Sequence, residues 1–313
     1  MVTFEHAAHA LGGAVDRRRN QILCPGPGHS PHDRSLSVRL DSGAPDGFVV
    51  TSFAGDDWKT CRDHVKRLLG IERADRPSTA QKPSPSRPLM NDDWLAKHKR
   101  IWDEARSIVD TIAERYMQHR GLPFVGHEHA LRFHHACPVK IGDKLERRPA
   151  LVGKLVDIRT NAFCAIQRAF LKRDGSGKAD DIPGGARRML GRAEGAVCKL
   201  SADEEVTTVF GIGEGIETTL SLPLLPECHG VPVWACMSAS NIENLPPLPG
   251  IEVLWIAVDK EESGVGERAA YQCAERWDAA DKEVHFIFVK DRTQKKCDLN
   301  DLVRKRGDHH EAS

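Results

Sequence analysis

The chain has 313 residues, and its 45 Lys and Arg are balanced by 45 Asp and Glu. That length exceeds one ordinary domain, and a 40% hydrophobic content fits a globular protein of two or three units rather than a disordered or fibrous one. No stretch approaches the ~18 consecutive apolar residues of a membrane span, and Met1 to Gly13 is too polar for a secretory segment, so a cytoplasmic protein without membrane partners is expected.

Residues 1–71 contain CPGPGHSPHDRSLSV, GFVVTSFAGDDW and CRDHVKRLLG. Alternation predicts strands over 35–39 and 47–53, and 58–69 suits a short helix. The nine cysteines of the chain are odd in number and scattered, which points to free thiols in a reducing compartment. This segment resembles the small zinc-binding domain at the front of bacterial-type primases, which uses a Cys and a His early and two Cys after a hairpin. The resemblance implies a zinc-ribbon-like, DNA-binding unit with Cys24 and His29 as its first ligands. Ser52-Phe53-Ala54-Gly55 stands where the later cysteines belong, and serine and glycine cannot replace thiolates on Zn²⁺. Cys61 and His64, spaced as C-x₂-H, are then the candidate remaining ligands; the alternative is a fold that keeps its shape without metal.

Residues 72–91, ERADRPSTAQKPSPSRPLMN, are rich in Pro, Ser and charge and read as a flexible linker that lets the units it joins move.

From Asp92 an amphipathic helix is expected, with Leu95, Ile101, Trp102, Ala105, Ile108, Val109, Ile112 and Tyr116 at three- and four-residue spacing and Gly121 at its end. Two alternating strands, 150–157 and 162–171, follow around a turn at Thr160-Asn161. The zero net charge conceals an asymmetry here. Residues 97–199 hold 21 Lys and Arg against 12 Asp and Glu, whereas 200–313 hold 11 against 21. The middle suits a polyanion and the last third suits cations. The words ERYMQHRGLPFVGHEHALRFHH resemble the start of a primase polymerase domain. On that resemblance Arg120 and Arg132 are candidate nucleic-acid contacts. Arg168, Lys172 and Lys178, with Arg187 and Arg188 behind them, would face template and incoming nucleotide across from bound metal.

Residues 204–313 alternate strand and helix, with strands over 207–212, 232–236, 253–258 and 284–289. Glu214 follows the first strand; Asp259 and Glu261 follow the third; Asp298 and Asp301 come after the fourth. Carboxylates at the carboxyl ends of parallel strands lie where such sheets bind ligands, and oxygen donors suit Mg²⁺ or Mn²⁺. Residues two apart in an extended segment point the same way, so Asp259 and Glu261 are expected to face one ion. The order Glu214-Gly215, Asp-x-Glu, then Gly264 and Ala269-Ala270 opening a helix, resembles the Toprim domain. EGIETTLSL, PVWACMSASNIENLP and DLNDLV most resemble Toprim domains of primase-like proteins from phages, plasmids and integrated elements. The usual pair is Asp-x-Asp, and Glu261 departs from it.

The fold class expected is therefore α+β and α/β multidomain: a zinc-ribbon-like unit at 1–71, a linker at 72–91, a mixed α+β primase-type unit at 92–203, and a Rossmann-like Toprim unit with a parallel sheet at 204–313. The implied activity is synthesis of short RNA primers on single-stranded DNA from nucleoside triphosphates. Glu214, Asp259 and Glu261 would be the catalytic groups, Mg²⁺ the cofactor, and a separate helicase the partner, since no Gly-x₄-Gly-Lys-Ser/Thr loop occurs. A Toprim nuclease and a catalytically silent DNA-binding accessory protein are the alternatives.

Overall fold

A computed structural model describes residues 4–17, 20–41, 44, 46–71, 92–289 and 297–310; the expected linker lies outside the described residues. The chain begins with α1 (Phe4–Ala10), β1 (Ala14–Asp16), β2 (Gln21–Cys24), β3 (Leu36–Leu40), β4 (Phe48–Ser52) and α2 (Trp58–Leu69). The four strands form an antiparallel sheet in sequential order. α2 starts where the Asp57 carboxylate accepts the Thr60 N–H and stops at Gly70, whose φ of 65° is the left-handed conformation that glycine adopts without steric cost. Trp58, Cys61 and Val65 recur at helical spacing and are all buried.

That buried face packs on the last unit of the chain. The Trp58 indole N–H donates to the Val284 carbonyl at 2.9 Å, and its ring lies edge-on to Tyr271 and Phe286. Arg39 pairs with Glu267 at 2.5 Å and Arg268 with Asp41 at 3.0 Å. The two units therefore share one hydrophobic core, where a mobile first unit was expected. Trp58→Phe keeps the ring packing but leaves the Val284 carbonyl without its donor. Chemical denaturation should show a loss of about 1–2 kcal/mol.

The middle unit comprises α3 (Asp92–Glu104), α4 (Ile112–His119), β5 (Leu131–Ile141), β6 (Lys144–Asp157), β7 (Phe163–Phe170), β8 (Arg187–Gly191) and β9 (Ala196–Lys199). The single long helix expected here is two helices. Arg106 leaves the helix to exchange backbone hydrogen bonds with Phe133, Asp110 adopts a φ of 60°, and the Thr111 hydroxyl accepts from Ala113 N–H to start α4 afresh. Apolar periodicity ran through the break although the helices serve different clusters: Ile101 and Trp102 pack with Ala150 and Val152, whereas Ala113, Tyr116 and Met117 pack with Leu151 and Leu155, the alternate residues of β6.

The last unit follows with β10 (Val209–Gly213), α5 (Ile216–Ser221), β11 (Val233–Ala235), α6 (Ala239–Glu243), β12 (Val253–Val258), α7 (Val265–Asp278), β13 (Glu283–Phe288) and α8 (Leu299–His310). β10 pairs in parallel with β11 on one side and β12 on the other, and β12 pairs in parallel with β13. β11 also pairs antiparallel with β9, which pairs with β6, so the strands on either side of residue 204 belong to one nine-stranded sheet. After β10 the chain goes to one flank and then crosses to the other, and the crevice beyond the carboxyl ends of β10 and β12 lies at that reversal. Among the described residues no helix is long and apolar enough to cross a membrane.

Candidate active site

Two strand ends bring the first carboxylates together. Glu214 leaves β10 just before α5, and Asp259 leaves the neighbouring β12. Gly213 makes the turn into α5 possible, because a β-carbon there would come within 2.7 Å of the Thr219 hydroxyl. Beyond these ends lies a cavity of about 370 Å³, lined by Glu214, Asp259, Glu261, Asp298 and Asp301 together with Glu217, Thr218 and Arg187.

Asp259 is the most perturbed of these acids. Burial pushes its carboxyl up to about 7, the neighbouring Asp298 and Glu214 charges add to the effect, and hydrogen bonds offset only part of it. Those bonds come from the Thr218 hydroxyl, 3.0 and 2.9 Å from the two carboxylate oxygens, and from Leu299 N–H at 3.4 Å. Asp298 is raised too, chiefly by burial. It opens α8 by accepting the Asp301 N–H at 2.9 Å, and the Arg120 guanidinium lies 3.5 Å from Asp298 and 3.6 Å from Asp301. Glu261 reaches the wall differently from the expectation. The strand ends at Val258, Lys260 bridges to Cys297, and the Glu261 carboxylate folds back to accept Gly266 N–H at 2.7 Å in the first turn of α7.

Glu217 was missed in the sequence. It is 5% exposed on α5, with Lys178 Nζ at 2.7 Å and the Tyr116 hydroxyl donating at 2.7 Å. Burial works against its charge, but the Lys178 ammonium and the Tyr116 hydrogen bond outweigh it and bring the carboxyl down to about 2. The available signal was a Glu inside the otherwise apolar and hydroxyl-bearing word IETTLS.

Residues 209–309 match a family model described as a Toprim domain. The chain carries a Toprim domain. Residues 94–200 match a model described as a domain of unknown function (DUF7146). Solved structures that resemble the chain include the primase fragment of the bacteriophage T7 primase-helicase protein, 13% identical with a TM-score of 0.39 over 92% of this chain and 96% of that one. Another is the bacteriophage T7 lagging-strand DNA polymerase interacting with primase domains of two gp4 subunits bound to an RNA/DNA hybrid and dTTP. It is 14% identical, with a TM-score of 0.34 over 61% of this chain and 87% of that one. At these values the backbones diverge too far for a role to be carried from one to the other. No curated protein matches the chain.

The Toprim cavity suits a hard divalent cation because carboxylates dominate its polar lining. Among the described residues no three His, Cys, Asp or Glu are grouped to hold an ion by themselves. Mg²⁺ does not require that, since it keeps several waters and commonly takes only one or two protein carboxylates with substrate phosphates. The raised Asp259 and Asp298 carboxyls also fit, because a cation beside them would stabilise the charged forms that burial disfavours.

The zinc expectation is corrected by the first unit. Both ring nitrogens of His29 are engaged, Nδ1 with Asp33 at 2.9 Å and Nε2 with Asp56 at 3.1 Å. Hydrogen bonding to Asp33 raises its imidazole above the usual range. His64 instead meets Arg67, and Cys24 and Cys61 are buried in the hydrophobic core of the unit. Cys24, His29, Cys61 and His64 thus do not assemble a tetrahedral set. Metal analysis of purified protein is expected to give zinc at background, with melting unchanged by chelator and lowered by His29→Ala.

The seven basic candidates separate. Arg187 is exposed beside Gly215 on the Toprim cavity, Lys178 reaches the cavity through Glu217, and Arg120 through Asp298 and Asp301. Lys172 pairs with Asp180 at 2.8 Å on the surface. The other three serve the fold. Arg168 is 7% exposed and donates to the Pro138 carbonyl at 2.5 Å, Arg132 lies over the Trp102 ring at 4.4 Å, and Arg188 is held by the carbonyls of Pro183 and Gly184.

Proposed function

We propose that the protein is a primase-type nucleotidyltransferase that copies single-stranded DNA into short RNA primers by metal-dependent phosphoryl transfer, in the replication of a phage or mobile element. The observation that carries this reading is the convergence of Glu214, Asp259 and Asp298 on one cavity of the Toprim domain with Arg187 on its wall. Asp259, with either Glu214 or Asp298 beside it, would hold Mg²⁺, which when bound would neutralise charge on the triphosphate and on the attacking oxygen. In the reaction the 3′ oxygen of one nucleotide attacks the α-phosphorus of the next, the bond to pyrophosphate breaks, and the hydroxyl proton passes to a carboxylate. Glu214 is the group assigned that proton. Arg187 binds phosphate oxygens, and the Glu217–Lys178 pair keeps α5 and the turn after β7 in register with the site. Nucleoside triphosphates and single-stranded DNA are the proposed substrates, and a separate helicase the proposed partner.

The test is incorporation of labelled ribonucleotides on single-stranded DNA with Mg²⁺ or Mn²⁺, with cleavage of the same DNA followed in parallel. Template-dependent products of two or more nucleotides are expected. Cleavage without incorporation would transfer the site to a Toprim nuclease, and inertness in both assays would leave an accessory DNA-binding role.

A further inference from the structure

A second cleft, of about 650 Å³, lies in the middle unit on the other side of α4 from the carboxylates. Arg106, Arg115, Arg147 and Arg173 line it, and all four are exposed. They come from four places in the chain: the break before α4, α4 itself, β6, and the turn after β7. They are scattered along the sequence, and only the fold gathers them. Other arginines of this unit are neutralised, Arg100 by Glu104 and Arg148 by Glu146 and Asp181. Among the described residues none of the four cleft arginines has an ion-pair partner, although like charges crowded together repel. His135 gives the same cleft an exposed ring, while Phe133 lies buried beneath the Arg106 guanidinium.

We propose that this cleft binds the phosphodiester backbone of a single-stranded nucleic acid and passes the strand across α4 toward the Toprim cavity. Arginine matches phosphate oxygens through paired N–H donors, and an exposed ring such as His135 stacks on bases without sequence preference. A triphosphate arrives as a metal complex and needs free oxygen ligands. Of the two acids that line the cleft, Glu114 has both carboxylate oxygens committed, to Asp110 N–H at 2.6 Å and to Gln118 at 2.9 Å, which leaves the single carboxylate of Asp110 against four arginines. A phosphodiester needs no metal and spreads its charge along a chain, as the four guanidinium groups are spread. Two elements connect the cleft with the cavity. On α4, Arg115 faces the cleft while its neighbour Tyr116 donates to Glu217; in the turn after β7, Arg173 faces the cleft while Lys178 pairs with Glu217.

The proposal rests on nucleic acid being the substrate, so binding is measured apart from catalysis. Polarisation of a labelled oligothymidylate is followed in metal-free buffer over a range of salt, for the parent, Arg115→Glu/Arg173→Glu, Arg106→Ala/Arg147→Ala, and Lys282→Ala, whose side chain pairs with Glu252 on the last unit, as a control outside the cleft. Both double variants should bind the oligonucleotide at least tenfold more weakly, with a salt dependence shallower by about 0.7 in log–log slope per lost phosphate contact, while Lys282→Ala and ATP binding in Mg²⁺ stay at parent values. Melting temperatures of the two exposed-site double variants should match the parent. Unchanged oligonucleotide affinity and slope in both double variants overturn the proposal, as does weakened ATP binding with oligonucleotide binding intact, which would make the cleft a nucleotide subsite. A parent that binds no oligonucleotide overturns the proposed function as well; a parent that binds while both double variants match it overturns the cleft alone.

Discussion

Asp259→Asn should lower nucleotide incorporation about 10³-fold while making the protein more stable at pH 8. The first effect follows if a metal held here contributes several kcal/mol to stabilising the transferring phosphoryl group, at ~1.4 kcal/mol per tenfold in rate. The second follows from the carboxyl's position. It is raised to about 7 in the folded chain, so the folded state holds a proton that the unfolded state has already released. Stability is therefore lost as pH rises from about 4, where the unfolded carboxyl ionises, to about 7, and stays lost above that. Asparagine keeps the shape without the charge and should recover on the order of 2 kcal/mol at pH 8 and nothing below pH 4. Denaturant melts across that range read the gain, and added Mg²⁺ should stabilise the parent but not the variant. An inactive variant that is also less stable would mean Asp259 acts by holding the fold.

The Toprim unit was legible because its strands announce themselves: VFGIG and VLWIAV are apolar, β-branched runs too short for helices, and each ends in an acid. Strand ends in a parallel sheet meet at one edge, so Glu214 and Asp259 needed no further information to be brought together. What escaped depends on partners far off in sequence. Glu217 is held as a charge by Tyr116, 101 residues away, and by Lys178. No local pattern predicts that, and an isolated carboxylate on a buried helix otherwise looks unfavourable. Arg168 shows the converse limit. The primase resemblance put Arg168 on a face toward template and nucleotide, yet β7 lies inside the sheet with six consecutive residues buried, and the guanidinium donates to the Pro138 carbonyl. The zinc spacing failed for a similar reason, because intervals between Cys and His residues say nothing of Asp33 and Asp56 competing for the His29 ring.

Lys178→Met should cost about 3–5 kcal/mol, more than its place in a surface turn suggests. Lys178 itself is partly exposed, but its partner Glu217 is not, and removing the ammonium leaves a carboxylate in the interior with only the Tyr116 hydroxyl for company. The sign of the pH dependence identifies the cause. In the parent, Glu217 lies at about 2, below the ordinary carboxylate, so its contribution is fully present above about pH 4.5 and is lost as pH falls toward 2. In Lys178→Met the opposing burial is no longer outweighed and the carboxyl rises above its unfolded value. The variant then loses stability as pH increases, and its deficit against the parent is largest at neutral pH and narrows toward pH 4. Glu217→Leu placed on Lys178→Met removes the stranded charge and should restore most of the loss, since a buried ion pair exchanged for apolar contact is often close to neutral. That double variant also separates folding from function: with stability regained, any remaining fall in incorporation measures what the Glu217–Lys178 pair does in setting the turn after β7 against the carboxylates. A Lys178→Met deficit that is flat with pH would mean the loss comes from packing of the lysine stem rather than from the charge it neutralises.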